Sequence, residues 1–161
     1  MNVQLFRIDD RLIHGQVLLG WARPLKCERI LLCDDQVSEN EWEKELYSSC
    51  VPANMQAIVQ NTAETARLLT SDSENTHKTI VLVKEPESVI NLVNIGYTPG
   101  EVNIGGIHFA DARKKFLPYV YLNEEEIKQI KWLLEKGIKI FCQDIPSARK
   151  YNVEDVLGRK T

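Results

Sequence analysis

Short apolar runs recur along this chain of 161 residues and are separated by stretches with helical periodicity. Seven runs are seen: Val3 to Ile8, Arg29 to Cys33, Met55 to Val59, Thr79 to Val83, Val102 to Ile104, Tyr119 to Leu122 and Ile138 to Cys142. Runs that are apolar at nearly every position suit parallel strands covered on both faces. The alternation predicts an α/β fold with an open, mainly parallel sheet of about seven strands and helices on both faces.

Local signals place the ends of several elements. Three helix starts are predicted where a polar residue precedes a glutamate by three positions: Ser38 before Glu41, Asn61 before Glu64, and Asn123 before Glu126. Pro86 suits a first helical turn and Gly137 suits a helix end. Pro118 places the strand beginning nearby at a sheet edge, where one antiparallel strand fits. The polar stretch from Thr70 to Thr76 is predicted to be a surface loop.

Length and composition favour one domain spanning residues 1–161, since 43% of the residues are hydrophobic and 27% are charged. A net charge of -3 argues against general nucleic-acid binding. No run approaches the roughly 20 apolar residues of a membrane helix, and the first residues lack a signal-peptide pattern. These features predict a cytoplasmic protein that does not insert into the membrane. The 4 cysteines form no Cys-x-x-Cys pair, so no metal site is predicted.

The loop after the first predicted strand carries the chemistry. In an open α/β sheet, ligands bind at the carboxyl ends of the strands. The loop from Arg7 to Gln16 holds His14, whose neutral imidazole can act as a nucleophile toward phosphorus. The N-terminus of the following helix would offer N–H groups to an anion, and Gly15 would let the backbone approach it. Arg11 and Arg7 are candidate donors to phosphoryl oxygens.

Two acidic residues in the same loop have roles that spacing leaves open. Asp9 or Asp10 either orients the imidazole of His14 through its second nitrogen or holds an arginine in place. The charged residues of the loop also fit a solvated cluster of salt bridges that contributes under about 1 kcal/mol.

The segment Arg7-Ile-Asp-Asp-Arg-Leu-Ile-His-Gly-Gln-Val17 resembles the signature of the IIB subunits of the mannose/fructose/sorbose family. This family belongs to the bacterial phosphoenolpyruvate-dependent sugar phosphotransferase system. The resemblance continues through most of the chain: Asp34-Asp35, Leu82 to Lys84 with Pro86, Val102 to Phe109, Val120 to Glu125, and Asp144 to Ser147. It departs from the family between Ala110 and Pro118, where the glycine usually found before the basic pair is absent.

The resemblance implies a phosphoryl relay. A IIA phosphohistidine would pass its phosphoryl group to Nδ1 of His14, which would pass it to a sugar presented by the membrane subunits IIC and IID. It implies that Arg11 clamps the phosphate and Asp10 orders the loop, with Arg7 and Gln16 as weaker candidates. No metal or nucleotide cofactor is expected, only the covalent phosphoryl group on His14. A phosphorylated regulatory module of the same fold, which transfers nothing to sugar, is the alternative.

Other positions matched by the resemblance have two interpretations each. Asp34 and Asp35 line the site or cap a turn, and Lys84 contacts a phosphate or the acidic face of a partner. Gly105 and Gly106 permit a tight turn or a close approach of the backbone. His108 is a second phosphate acceptor or a residue of the pocket rim. We expect Arg7, Arg11 and Lys84 to form a basic rim that faces IIA.

Overall fold

The computed structural model of the protein describes residues 1–71 and 76–159, so most of the predicted polar loop lies outside the described residues. The strands are β1 (Asn2–Asp9), β2 (Arg29–Cys33), β3 (Gln56–Gln60), β4 (Lys78–Val83), β5 (Glu101–Gly106), β6 (Lys114–Leu117), β7 (Val120–Leu122), β8 (Lys139–Cys142) and β9 (Tyr151–Asn152). The helices are a π-helix (Gln16–Ala22), α1 (Asp35–Glu39), α2 (Glu41–Cys50), α3 (Thr62–Ser71), α4 (Pro86–Asn94), α5 (Glu124–Glu135) and α6 (Val153–Leu157).

A seven-stranded sheet with the order β3-β2-β4-β1-β5-β8-β9 forms the centre of the fold. Neighbouring strands pair in parallel except for β8 and β9, where Phe141 and Cys142 pair antiparallel with Asn152 and Tyr151. The predicted mainly parallel α/β sheet with one antiparallel edge strand is therefore confirmed.

The strand near Pro118 does not belong to this sheet, so that part of the prediction is wrong. β7 pairs antiparallel with β6 in a separate two-stranded sheet. This hairpin adjoins the end of β5, because Ile107 donates to the Tyr119 carbonyl at 2.9 Å and accepts from the Tyr121 N–H at 2.7 Å. Pro118 lies in the turn between β6 and β7, where the missing N–H costs no ladder bond.

Alternate residues of the strands enter two separate hydrophobic cores. On β2, Ile30 and Leu32 pack into one core, whereas Leu31 and Cys33 pack into the other. The first face of the sheet is covered by the π-helix together with α1 and α2, and it buries Val17, Trp21 and Val37. The second face is covered by α3 to α6 and buries residues such as Leu92 and Ile130. This burial of both faces explains why the strands read as continuous apolar runs.

The helix ends agree with the sequence signals except at one position. Asn61 accepts from the Glu64 N–H at 2.8 Å, and Asn123 forms a full capping box with Glu126. Gly137 ends α5 with a φ of +84°. Ser38 does not cap α2, because it lies inside the short helix α1. Asn40 has that function instead and accepts from the Glu43 N–H at 3.1 Å.

The topology reverses direction at β1. The π-helix that follows β1 packs on the first face. The helix α4, which follows β4, and the helix α5, which follows β5 after the hairpin of β6 and β7, pack on the second face. β1 lies between β4 and β5. Adjacent strands whose connections leave toward opposite faces create a crevice at their carboxyl ends, where ligands bind in α/β proteins.

Ala112 has a φ of +68°, in the segment where the sequence lacks the expected glycine. A residue with a Cβ in the left-handed region loses roughly 1–2 kcal/mol of stability. Glycine avoids this strain, but its greater backbone freedom in the unfolded chain cancels part of the gain. We expect Ala112→Gly to raise the free energy of unfolding by about 0.5–1 kcal/mol in urea titrations. Ala110→Gly, in the same exposed loop, should bring no gain. Equal effects of the two substitutions would contradict the explanation.

Candidate active site

The carboxylate of Asp9 lies at the end of β1 and is fully buried. Its Oδ2 accepts hydrogen bonds from Arg7 Nη2 at 3.0 Å, Arg11 Nη2 at 3.0 Å and His14 Nε2 at 2.9 Å. Its Oδ1 accepts from the backbone N–H and the Nε of Arg11, both at 3.1 Å. One acidic group thus holds the side chains of Arg7 on β1 and of Arg11 and His14 in the loop that follows.

The bond to Asp9 determines which nitrogen of His14 is available. A carboxylate can only accept, so Nε2 of His14 carries a proton. Its Nδ1 accepts from the Gln16 N–H at 3.3 Å, at the start of the π-helix, and therefore has a lone pair. The ring is 19% exposed. Of the two acidic residues between which spacing could not decide, Asp9 contacts the imidazole.

Asp9 stays ionised although it has no contact with solvent. Burial by itself would raise the pKa of Asp9, but hydrogen bonds from His14 and Arg11 and the charge of Arg7 outweigh burial. The pKa of Asp9 is therefore held well below its usual range. A permanent carboxylate keeps the ring of His14 in one orientation.

Arg7 is fully buried, which differs from its predicted role on a rim that faces a partner. Besides Asp9, its guanidinium donates to Asn103 Oδ1 at 2.8 Å and to the Gln143 carbonyl at 3.2 Å. It lies over the ring of Trp21 at 5.4 Å. Burial lowers the pKa of Arg7 and the nearby Asp9 opposes this, so the pair remains ionic. Arg7 therefore holds Asp9 from the interior of the protein and has no exposed surface with which to bind a phosphate.

The glycine pair of β5 creates the room for Arg7 and Asp9. A Cβ on Gly105 would collide with the guanidinium of Arg7, and one on Gly106 would lie 3.0 Å from Asp9 Oδ1. The pairing between β1 and β5 passes from Ile8–Ile104 to Asp9–Gly106 and so skips Gly105. Such a bulge at glycine marks a close approach between backbone and side chain, rather than a tight turn.

Arg11 and Gln16 are bonded to each other beside His14. The Arg11 side chain is 38% exposed, and its Nη2 donates to Gln16 Oε1 at 2.8 Å. Leu12, with a φ of +59°, reverses the chain between Arg11 and His14. Its N–H donates to the Asp9 carbonyl at 2.9 Å, which closes the turn. The loop thereby brings a partly exposed guanidinium back to the carboxylate that holds the imidazole.

Asp10 contacts a different histidine. Its Oδ1 lies 2.6 Å from His108 Nδ1, and its Oδ2 accepts from the His108 N–H at 2.8 Å. Arg113 donates to the His108 carbonyl at 2.8 Å and forms two bonds with Glu126. Asp10 thus ties the first loop to the segment after β5, which is a different role from contact with His14.

The other candidate residues lie around this centre. Asp34 caps α1 by accepting from the Val37 N–H at 2.9 Å, and Asp35 accepts from the Thr62 N–H at 2.8 Å. Both carboxylates therefore serve as caps, which was one of their two interpretations. Lys84 is exposed directly after β4, and Gly15 is exposed directly after His14.

Four further residues of the site were not among the candidates: Trp21, Asn103, Arg113 and Gln143. Asn103 carries a visible signal, because it is a polar residue inside an otherwise apolar strand. Its amide donates to the Gln143 carbonyl at 3.0 Å. The indole of Trp21 donates to the Asp144 carbonyl at 2.8 Å, which joins the π-helix to the loop after β8. These contacts join residues that are far apart in the sequence, so local spacing does not predict them.

A family model described as PTS system sorbose subfamily IIB component matches residues 3–161. The chain belongs to this family of IIB components. As such it is a phosphotransferase subunit of sugar transport, and the resemblance found in the sequence is confirmed.

Relatives of this IIB component match along its whole length. The fructose-specific EIIB component of Bacillus subtilis (strain 168) is 30% identical over 161 residues, covering 100% of this chain and 99% of the relative. The IIBSor domain of the sorbose permease from Klebsiella pneumoniae has a TM-score of 0.91 at 27% identity, covering 100% and 99% of the two chains. The mannose-specific EIIAB component of Escherichia coli (strain K12) is 28% identical, and this chain spans 49% of its length.

Within residues 1–71 and 76–159, none of the helices of the IIB component has the length and apolarity needed to cross a membrane. The same residues contain no cluster of three or more His, Cys, Asp or Glu side chains arranged to hold a metal ion.

A matched pair of glycine substitutions tests the close approach of Arg7 to β5. We expect Gly105→Ala to lower the free energy of unfolding by about 1–3 kcal/mol, because the new methyl group must displace a buried guanidinium. Gly15→Ala should change it little, since a Cβ there meets nothing within 4 Å. Urea titrations of both variants measure the difference. Similar stabilities would show that Arg7 can move at no cost.

The depressed pKa of Asp9 predicts a pH-dependent contribution to stability. A carboxyl group whose pKa is lower in the folded chain stabilises it above the unfolded pKa of about 3.9 and loses this effect as the pH falls. Asp9→Asn should cost about 3–5 kcal/mol near neutral pH, because Arg7 is left buried without its counter-ion. The deficit relative to the unaltered chain should shrink below about pH 4.

Asp111→Asn, at an exposed position, is the control for this experiment. Its free energy of unfolding should stay close to that of the unaltered chain at every pH. A deficit of Asp9→Asn that is the same at pH 7 and at low pH would contradict the assignment.

Proposed function

We propose that this IIB component accepts a phosphoryl group from a IIA phosphohistidine on Nδ1 of His14 and passes it to a sugar during uptake through IIC and IID. The observation that supports this most is the hydrogen bond between Asp9 and Nε2 of His14. It leaves Nδ1 as the nucleophilic nitrogen. In this proposal the protein works in the cytoplasm and inserts no segment of its own into the membrane.

The surroundings of Nδ1 suit phosphoryl transfer, which depends on positioning and on stabilising charge over the oxygens. The Gln16 N–H already points at Nδ1. Arg11 uses its Nε and Nη2 for Asp9 and Gln16. Its Nη1 bonds to none of the described residues, so the N–H groups there can bind phosphoryl oxygens. Because these donors come from the chain itself, the proposal needs no metal or nucleotide cofactor.

Contact with IIA would take place at the carboxyl end of the sheet. Arg11 and Lys84 are exposed cations at this edge, whereas Arg7 is buried and takes no part. The mannose EIIAB relative is named for both components, which supports a IIA partner for this chain. A relay must release its partner in each cycle, so we expect a small, brief and salt-sensitive contact.

Labelling with radioactive phosphoenolpyruvate, the general phosphotransferase proteins and a IIA tests the proposal. The chain should gain one acid-labile, base-stable phosphoryl group, and His14→Gln should remove it because the nucleophilic nitrogen is lost. Arg11→Ala should slow loading roughly 10- to 1000-fold if its guanidinium contributes about 1.5–4 kcal/mol to the transition state. His77→Gln is the control, since His77 precedes β4 at the opposite end of the sheet.

Discharge is tested by adding membranes that contain IIC and IID with fructose, sorbose, mannose or N-acetylgalactosamine. These are the sugars in the names of its relatives. Loss of the label to one of them supports transport. A label that forms on His14 but leaves for none of them would favour the regulatory alternative, and retained labelling of His14→Gln would refute the role of His14.

A further inference from the structure

Two consecutive aspartates at the end of β1 each hold one histidine, through different ring nitrogens. Asp9 Oδ2 lies 2.9 Å from His14 Nε2, and Asp10 Oδ1 lies 2.6 Å from His108 Nδ1. The nitrogen that faces a carboxylate carries the proton. In the neutral rings, the lone pairs are therefore on Nδ1 of His14 and on Nε2 of His108. Each pair presents one basic nitrogen.

His108 is held firmly for a residue at the rim. Its N–H donates to Asp10 Oδ2 at 2.8 Å, and its carbonyl accepts from Arg113 Nη1 at 2.8 Å. Arg113 is fixed in turn by two bonds to Glu126, which also closes the capping box of α5. The His108 ring nevertheless remains 39% exposed. The side chain is thus partly accessible, and its orientation is fixed.

The ring of His108 lies near Arg11, the residue that the proposed function assigns to the phosphate. A Cβ on Gly106 would lie 2.8 Å from His108 Cε1, 3.0 Å from Asp9 Oδ1 and 3.3 Å from Arg11 Nη2. Cε1 is bonded to both ring nitrogens, so Nε2, one bond away from it, is also near the group formed by Asp9 and Arg11. The charged groups around the ring are Asp9, Asp10, Arg11 and Arg113.

The proposed relay contains only one step with a proton to remove. Transfer from the histidine of IIA to His14 exchanges one N–P bond for another, and the accepting Nδ1 has no proton. Transfer to a sugar forms an O–P bond, breaks the N–P bond of His14 and releases the hydroxyl proton. The attacking and leaving atoms are roughly in line with phosphorus. The departing Nδ1 is therefore on the wrong side to take that proton.

We propose that Nε2 of His108 is the general base that accepts the hydroxyl proton when the sugar attacks the phosphoryl group on His14. This inference rests on the proposed function and adds a catalytic residue to it. Asp10 is then a positioning residue, which keeps the proton on Nδ1 and stabilises the imidazolium that forms. Arg11, which is bonded to Asp9 and Gln16 beside His14 and lies near the His108 ring, neutralises the oxygens of the group in transit.

His108→Asn separates this role from a structural one. The amide nitrogen of asparagine takes the place of Nδ1 and can still donate to Asp10, whereas nothing replaces Nε2. We expect His14 to be loaded from IIA at the unaltered rate. Discharge to sugar should slow by roughly 100-fold or more, the usual contribution of a general base. The measurement uses the pair of membrane and sugar to which the unaltered chain discharges.

Chemical rescue gives a second readout. In His108→Ala, added imidazole should accelerate discharge from phosphorylated His14 and leave loading unchanged, because a small base can occupy the vacated space. Phe109→Ala, at the exposed neighbouring position, is the control for loss of surface contact with the membrane subunits and should not respond to imidazole.

Three results would overturn the inference. Discharge of His108→Asn at the unaltered rate shows that no base is needed from this residue. Equal slowing of loading and discharge, without rescue, assigns His108 to structure or docking. Failure of the unaltered chain to discharge to any sugar removes the transfer step itself, so the inference falls together with that part of the proposed function. Normal loading in that case would still leave His14 as the phosphate acceptor.

Discussion

The ion pair between Arg7 and Asp9 is the interaction on which the site depends. An ionised group without contact to water is tolerated only where it is paired and fully hydrogen-bonded. Arg7 and Asp9 are two positions apart on β1, so they share the first face of the sheet. The bulge at Gly105 makes room for them on the neighbouring strand, and Trp21 covers them. A polar cluster thereby occupies a place where the core would otherwise continue.

This arrangement explains how a loop can hold a reactive imidazole in one orientation. Loops are more mobile than the strands they follow, but His14 and Arg11 are both bonded to a carboxylate at the end of a central strand. The side chains of the site are therefore already held in place within the protein, which is the condition for effective electrostatic stabilisation. Arg7, Gly105 and Trp21 thus shape the site through contacts within the protein.

Most of the fold was predictable because burial on both faces leaves continuous apolar runs in the sequence. The edge strand β9 has only two residues and produces no such run. The strand from Val120 to Leu122 has the same composition as a sheet strand, and only the position of its partner β6 decides its pairing. The location of the site followed from the rule for strand ends. The burial of Arg7 could not be predicted in this way. Its partner Asn103 is far away in the sequence, and the spacing of residues does not show how much of a side chain is exposed to solvent.

The two histidines of the site differ in the same way. His14 is five positions after Asp9, so local spacing was sufficient to suggest a contact with Asp9 or Asp10, and the structure shows Asp9. His108 is 98 positions after Asp10, and only the adjacency of β1 and β5 brings them together. The sequence showed His108 without a neighbouring arginine, yet the fold supplies Arg11 from the first loop and Arg113 from its own segment. Because each aspartate faces a different ring nitrogen, the two histidines present different basic nitrogens, which fits the separate roles proposed for them in carrying phosphorus and in taking a proton.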